Sequence, residues 1–450
     1  MITSPAFAGK SYAVLGLARS GAAVVDALLA SGARVVAWDR QEHMREVFAG
    51  RCELTDPLET DLTGFDGVVV SPGVPINTHP ITPHAQCYHV PLIGDIELFA
   101  QARAALPPHK VVGITGTNGK STTTALVNHI LLQSGVPSLM GGNIGIPIME
   151  QAPLPEGGVY VLELSSYQID LTYSLGCDAA ALLNITPDHL DRYDGFDAYA
   201  ASKARLFTMQ ATDQFAVFGC GDEPTRKICA SEQARRDEAR ACPIVIDALA
   251  EMQPAWPSLQ GPHNLENAAV AVALVEELGI TPAQWQAAMP TFNGLPHRME
   301  RVAEQGGVLF VNDSKATNTD STAPALAAYP PVDGGKPRIH WIVGGLPKED
   351  GLGPCSQYLD HVAAAYTIGE AGPNFANLLE PHVPVERAEL LSEAVKRAMD
   401  RAVAGDVILL SPACASFDQF RDYERRGEYF RQVVAALTGA VDTANQGAGS

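Results

Sequence analysis

GITGTNGKST (113–122) is the stretch with the clearest chemistry. It places Gly116, Thr117, Asn118 and Gly119 ahead of Lys120, Ser121 and Thr122. Glycines so spaced let the backbone fold tightly and turn its N–H groups onto phosphate oxygens. A lysine beside them meets the β- and γ-phosphates, and the next hydroxyl suits Mg²⁺. Ile114 stands where the strict GxxxxGK[ST] pattern has its first glycine, so the setting carries the assignment: a strand before and a helix after. Glu163, in LELSSYQ (162–168), ends a hydrophobic run. A carboxylate there, on the same sheet as a phosphate loop, is placed to hold Mg²⁺; a strand-end glutamate in solvent is the plain alternative. NITPDHLDRY (184–193) offers Asp188, His189 and Asp191, with His189 either a metal ligand or a capped loop residue. Lys203 shares a helical face with Tyr199 and Phe207. A lysine on such a stripe is neutralised, paired or carried outward along its stem.

A second phosphate signal lies near the start. Gly16, Ala18 and Gly21 follow the strand pattern SYAVLGL, and Asp39 comes 23 residues after Gly16. This is close to a dinucleotide fingerprint, but Ala18 adds a methyl where a pyrophosphate presses closest. A nicotinamide dinucleotide or another nucleoside diphosphate fits the pattern.

The elements that must position these residues alternate along the chain. Short apolar runs at 11–17, 34–39, 67–73, 111–116, 159–164, 180–185, 307–313, 340–345, 363–369 and 406–412 read as buried strands, separated by helical patterns. Such alternation predicts parallel α/β sheets. The polar, Pro-containing stretch 102–110 reads as a linker, and the tail VDTANQGAGS as disordered. A length of 450 residues implies two to four domains. Joints are expected near 98 and 302.

A net charge of −20 argues against nucleic acid as a partner, since no basic surface can neutralise many phosphates. An anionic substrate must therefore meet a few local cations and helix N-termini. The eight cysteines form no CxxC pair, which disfavours zinc and a disulfide framework. No basic segment with an apolar core opens the chain, and no apolar run reaches about 18 residues. The expectation is a cytoplasmic protein with no membrane partner, and a monomer.

Read together, these motifs resemble the Mur ligase family, from about Ser11 to Phe430. GITGTNGKST, LELSSYQ, NITPDHLDRY, YAASKARLF (199–207), GPHNLENAAVA (261–271), FNGLPHRME (292–300), NDSKATN (312–318) and LLSPACASFDQF (409–420) match in order and spacing, as does the SPG turn at 71–73. The resemblance implies an α/β fold of three domains: a Rossmann-like UDP-binding domain (1–98), a central P-loop-type ATPase domain (99–302), and a Rossmann-like amino-acid-binding domain (303–450). It implies an ATP-dependent ligase that activates a carboxylate as an acyl phosphate and joins it to an amine. The C-terminal motifs narrow the substrates to UDP-N-acetylmuramoyl-L-alanine and D-glutamate, in peptidoglycan precursor synthesis.

By that resemblance, Lys203 is carbamylated and, with His189, Glu163 and Ser121, serves two Mg²⁺ ions. Gly116 to Thr122, Asn267, Arg298, Asp313 and Lys315 hold ATP. Gly16, Arg19, Ser20, Asp39, Arg40, Ser71, Gly73 and Asn143 hold the UDP-substrate, and Thr317, Lys348, Ser416 and Tyr423 hold glutamate. The chain departs from the family pattern at Leu346 and Pro347, where a polar Asp and a small residue are usual, and at Tyr423, where Phe is usual. These three lie beside the implied amino-acid pocket.

Overall fold

The computed structural model describes residues 1–188, 192–332, 335–347 and 351–439. His189 and Asp191, Lys348, and the tail 441–450 lie outside the described residues. The chain divides into two compact units, Met1–Val245 with Glu266–Ala288, and Ile246–Leu265 with Met289–Ser450.

The first unit holds two parallel sheets. Strands β1 (Ser11–Leu15), β2 (Arg34–Trp38), β3 (Gly67–Val70) and β4 (Leu92–Ile93) run in the order β2-β1-β3-β4. Strands β5 (His109–Thr115), β6 (Ser138–Gly142), β7 (Gly158–Glu163), β8 (Ala179–Leu182), β9 (Phe215–Phe218) and β10 (Ala241–Pro243) run in the order β10-β9-β8-β5-β7-β6. All residues of β3, β7, β8 and β9 are buried, as expected of strands covered on both faces. In both sheets the chain order reverses beside one strand, β1 or β5. The loops at the carboxyl ends of those strands therefore open a crevice where ligands bind in such folds.

Helix α1 (Arg19–Ala30) follows β1 and ends before Gly32, whose φ of 79° continues the chain where a side chain would be strained. Helix α2 (Asp95–Ala102) follows β4, and α3 (Lys120–Gln133) follows β5 and stops before Gly135 at φ 80°. Helices α4 (Ser166–Asp170) and α5 (Phe196–Thr208) complete the site's supports. Helix α6 (Pro262–Glu277) has its first turn in the second unit and the rest in the first. The expected linker 102–110 is folded. It contains the 3₁₀ turn Arg103–Ala105 and enters β5 at His109, and Arg103 donates to Gly176 O (2.5 Å) and Asp178 Oδ2 (3.3 Å). Its Pro and polar residues mark a turn held by side chains.

The second unit holds β11 (Glu300–Gln305), β12 (Val308–Asn312), β13 (Ile339–Gly344), β14 (Val362–Ile368), β15 (Val385–Glu389) and β16 (Val407–Leu410), ordered β11-β12-β16-β13-β14-β15. The sheet is mixed: β11 runs antiparallel to β12, with a register shift between Arg301 and Ala303. This edge strand reads ERVAEQ, half-exposed and charged, so it lacks the apolar run that marks the buried strands. Helix α7 (Tyr423–Thr438) turns Arg426, Gly427, Phe430 and Val434 into the unit. Among the described residues no helix is long and apolar enough to cross a membrane.

Candidate functional site

The phosphate loop is built as its sequence requires. Gly116 takes φ 151° and Gly119 φ 84°, and a Cβ on Gly119 would lie 2.3 Å from Asn267 Oδ1. Asn267 therefore sits against the loop, and Thr123 Oγ1 donates to the same Oδ1 at 3.2 Å. Asn184 stitches the loop down: its carbonyl and its Oδ1 accept the amides of Thr117 and Asn118, both at 2.8 Å. Gly119 caps α3 without a side chain, so no capping group competes for the first amides of the helix. Ser121 is buried just inside that terminus.

Two lysines converge here. Lys120 Nζ donates to the carbonyls of Gly116 (2.9 Å) and Thr117 (2.8 Å), and Lys203 Nζ reaches the same Gly116 carbonyl at 2.9 Å. Lys203 also lies over the Tyr199 ring, 4.6 Å from its centroid. Burial first, and then the charge of Lys120, hold Lys203 well below the ordinary ammonium range, while Asp188 and Asp170 pull the other way. Of the fates open to a lysine on an apolar stripe, the side chain is turned inward rather than carried out to water.

Glu163 ends β7 in register with Ile114 of β5 and Gly142 of β6. Its Oε1 accepts from Asn143 Nδ2 at 3.0 Å, and its Oε2 is buried without a hydrogen-bond partner. A buried, unpaired carboxylate oxygen is costly unless a cation or proton meets it. It therefore fits a hard divalent ion. No three His, Cys, Asp or Glu side chains among the described residues converge in metal-binding geometry.

At the carboxyl end of β1, Gly16 (φ 94°) and Gly21 are fixed by contact. A Cβ on Gly16 would meet Ser71 Oγ at 2.7 Å, and one on Gly21 would meet the Gly16 carbonyl at 1.8 Å. Ser71 Oγ donates to Gly16 O at 3.1 Å. Helix α1 starts at Arg19 with Ala18 as a cap that offers no side-chain bond, again leaving the first amides for an anion. Asp39 braces the loop: Oδ2 accepts the Leu17 amide (2.7 Å) and Oδ1 the Gln41 amide (2.9 Å). Arg19 donates to Gly145 O at 2.8 Å, Arg40 and Gly73 are exposed, and Ser20 is half-buried. Gly73 O accepts from Arg192 Nη2 at 3.0 Å.

In the second unit, Asp313, Lys315 and Thr317 follow β12, and Ser416 follows β16. Asp313 is buried, accepts from Ser411 Oγ (2.7 Å) and the Met299 amide (3.1 Å), and is pushed up to about 7 by burial, against those bonds and the charges of Arg298 and Arg426. Arg298 sits between two non-glycine residues with positive φ, His297 (62°) and Met299 (47°), and its Nε is buried without a partner. Backbone strain of this kind persists where the surroundings hold it. Lys315 Nζ lies 5.7 Å from the Tyr423 ring centroid. The departure at Leu346 is absorbed by the backbone, since Leu346 and Ala415 exchange both amide bonds at 2.9 and 3.0 Å.

Two residues of this unit escaped the sequence reading. Arg426 is 1 % exposed and donates to Ser314 Oγ, Ser314 O, Cys414 O and Ala415 O at 3.0, 2.9, 3.0 and 3.2 Å. It thereby fastens the loop after β12 to the loop after β16. Its signal was the one that exposed Lys203, a cation at i on an apolar i+4, i+8 stripe (Phe430, Val434). His263 has a buried, unpartnered Nδ1 and is pushed down to about 4, by burial and then by Arg298; a lone histidine in a helix start carries no such signal.

Two glycine-bounded turns that open uncapped helices, two converging lysines and a buried carboxylate oxygen without a partner form an arrangement suited to bringing two anions together. The Mur ligase middle domain family matches residues 114–242, and the Mur ligase glutamate ligase domain matches residues 297–414. A UDP-N-acetylmuramoylalanine--D-glutamate ligase of Novosphingobium aromaticivorans is 66% identical, covering 97% of this chain and 97% of its own. One of Sphingopyxis alaskensis is 57% identical, covering 97% of this chain and 100% of its own. The solved structure of the MurF ligase from Thermotoga maritima in complex with ADP aligns at TM-score 0.58 and 16% identity over 96% of both chains, a likeness of fold. With such identity along nearly its whole length, the chain belongs to the Mur ligase family, among the UDP-N-acetylmuramoylalanine--D-glutamate ligases.

Proposed function

We propose that this chain joins D-glutamate to UDP-N-acetylmuramoyl-L-alanine at the expense of ATP, as its relatives' names describe. The observation that supports the reading best is the meeting of Lys120 and Lys203 on one carbonyl, that of Gly116, in a fold whose phosphate loop ends in an uncapped helix. A free carboxylate is a poor acyl donor, so it takes the γ-phosphoryl of ATP and becomes an acyl phosphate. The glutamate amine then attacks the carbonyl and phosphate leaves. Before that transfer, triphosphate and carboxylate repel each other, and Lys120 with the α3 amides offsets the repulsion.

Mg²⁺, when bound, neutralises phosphate charge and polarises the transferring group. Glu163, Ser121, His189 and a carbamylated Lys203 are the residues we assign to two such ions. Carbamylation needs a neutral amine: Lys203 Nζ forms an N–C bond with CO₂ and releases a proton, and its lowered basicity supplies the amine. Asn143 orients Glu163 and faces the muramoyl substrate. Asn267, Arg298, Asp313 and Lys315 are assigned to the nucleotide. Thr317, Ser416, Tyr423 and Lys348 are assigned to glutamate, and Gly16, Arg19, Ser20, Asp39, Arg40, Ser71 and Gly73 to the UDP group. The domain joints lie near 98 and 302 in this reading, and the enzyme works as a cytoplasmic monomer.

Phosphate release from ATP with UDP-N-acetylmuramoyl-L-alanine tests the reading. Release is expected with D-glutamate and not with L-glutamate or L-alanine. Turnover with another amino acid in place of D-glutamate refutes the substrate assignment, and no turnover with any refutes the ligase.

A further inference from the structure

One buried acid in the first unit has no part in that chemistry. Asp95 opens α2 at 2 % exposure; its Oδ1 accepts the Ile96 amide at 3.0 Å, and its Oδ2 is buried with no hydrogen-bond partner. Asp95 lines a small, partly open pocket with Ser20, Gly21, Ser71 and Pro72, the rest of the wall being Val14, Val24, Val69 and Val70. Ser20, Gly21 and Ser71 belong to the loop and helix start on which the UDP diphosphate is proposed to rest. A carboxylate and a diphosphate resting on that loop would thus border the same small, partly apolar pocket.

Among the described residues, no cation is paired with the Asp95 carboxylate. Arg19 at the start of α1 is turned to Gly145 O, and Arg103 after α2 is held by Gly176 O and Asp178. Glu97, on α2 itself, gives its oxygens to Tyr173 N, Ser174 N, Ser174 Oγ and Gln101 Nε2. Glu150, on the adjacent 3₁₀ turn Ile148–Glu150, is exposed. The strands facing the cavity bring only valines and Ser71. Like charges close together in a partly apolar setting repel, so seating the anion favours neutralising one of the two. A diphosphate diester does not titrate near neutrality, which leaves Asp95.

We propose that Asp95 is the acid beneath the diphosphate: the UDP-substrate binds the chain with Asp95 as a neutral carboxylic acid, and its seating takes up one proton from solvent. This rests on the assignment of Gly16–Gly21 and Ser71 to the UDP group. Burial prepares the group, raising it to about 6 against its backbone amide bonds. As the acid it offers an O–H donor to the cavity that holds the Ser20 and Ser71 hydroxyls. Asp95 therefore sets the affinity for this anion and makes it fall as pH rises.

Calorimetric titration of the full chain with UDP-N-acetylmuramoyl-L-alanine, without nucleotide or metal, tests this between pH 5.5 and 8.5 in paired buffers of different ionisation enthalpy. The wild type is expected to take up about one proton at high pH, with Kd rising up to about tenfold per pH unit above about 6. Asp95→Asn keeps the shape and removes the charge. It is expected to bind without that uptake, with a Kd flat in pH and tighter than wild type at pH 8 by about ten- to hundredfold. Should the variant fail to fold, the wild-type proton count alone decides. Binding with no proton uptake and an equal Kd at pH 6 and 8, or the same uptake in Asp95→Asn, overturns the inference and leaves the UDP assignment standing. No binding at any pH overturns both.

Discussion

Lys120 and Lys203 aim their Nζ atoms at the Gly116 carbonyl, and after burial the charge of Lys120 is part of why Lys203 is weakly basic. Lys203→Ala is expected to lose activity by at least about a hundredfold, the usual cost of removing one electrostatic group from such a site. Added formate or acetate then restores part of the rate, because the lost carboxylate is returned from solution. A fully active Lys203→Ala, needing no rescue, contradicts the assignment. Asp313 yields a prediction about stability. Its folded value, about 7, lies above the ordinary carboxyl value of 3.8, so the folded state favours the acid. That contribution is fully present below the unfolded pKa and is lost as pH rises through 7, at up to about 1.4 kcal/mol per pH unit. Asp313→Asn should therefore flatten the pH dependence of Tm between pH 4 and 7, while ATP binding weakens. An unchanged slope in Asp313→Asn would remove the group from the balance.

Loops and helix starts carry the site, and they differ in how plainly the sequence wrote them. The turn after β5 was legible because glycine spacing, strand and helix all agree, and the contact of a Gly119 Cβ with Asn267 shows why no larger residue serves. Most buried strands were legible from unbroken apolar runs, but buried β9, only four residues long, was not among them. Edge strand β11 was not, because an edge needs only half an apolar pattern and ERVAEQ supplies less. The bracing of the loops by Asn184 and of the first turn by Asp39 could not be read either, since hydrogen bonds between distant residues leave no local spacing. Arg426 could have been found by the test already applied to Lys203. It ties the turn at Ser314 to that at Cys414 and Ala415, so Arg426→Lys, which keeps a charge but loses the planar fork, should raise the KM for glutamate several-fold. The KM for UDP-N-acetylmuramoyl-L-alanine should stay unchanged. Arg426→Met should also destabilise by about 3 kcal/mol, because buried carbonyls lose their donor. Equal rises in both KM values after Arg426→Lys would mean a general loosening instead.

Across the whole molecule, each of the three sheets presents its chemistry at the carboxyl ends of its parallel strands: Gly16 and Ser71, then Gly116 and Glu163, then Asp313 and Ser411. That common rule follows from helices that begin where strands end, with amide groups pointing back toward the crevice. The acidic surface, at a net charge of −20, leaves anionic substrates to those few amides and cations. The alternation of strands and helices made the α/β class legible early, whereas His189 and Lys348 fall outside the described residues. The account turns on the phosphate loop, and Lys120→Ala measures it most directly. Rates of D-glutamate incorporation into UDP-N-acetylmuramoyl-L-alanine, taken beside Tm, should fall by about a thousandfold with Tm little changed. Incorporation at the wild-type rate would contradict the account at its centre.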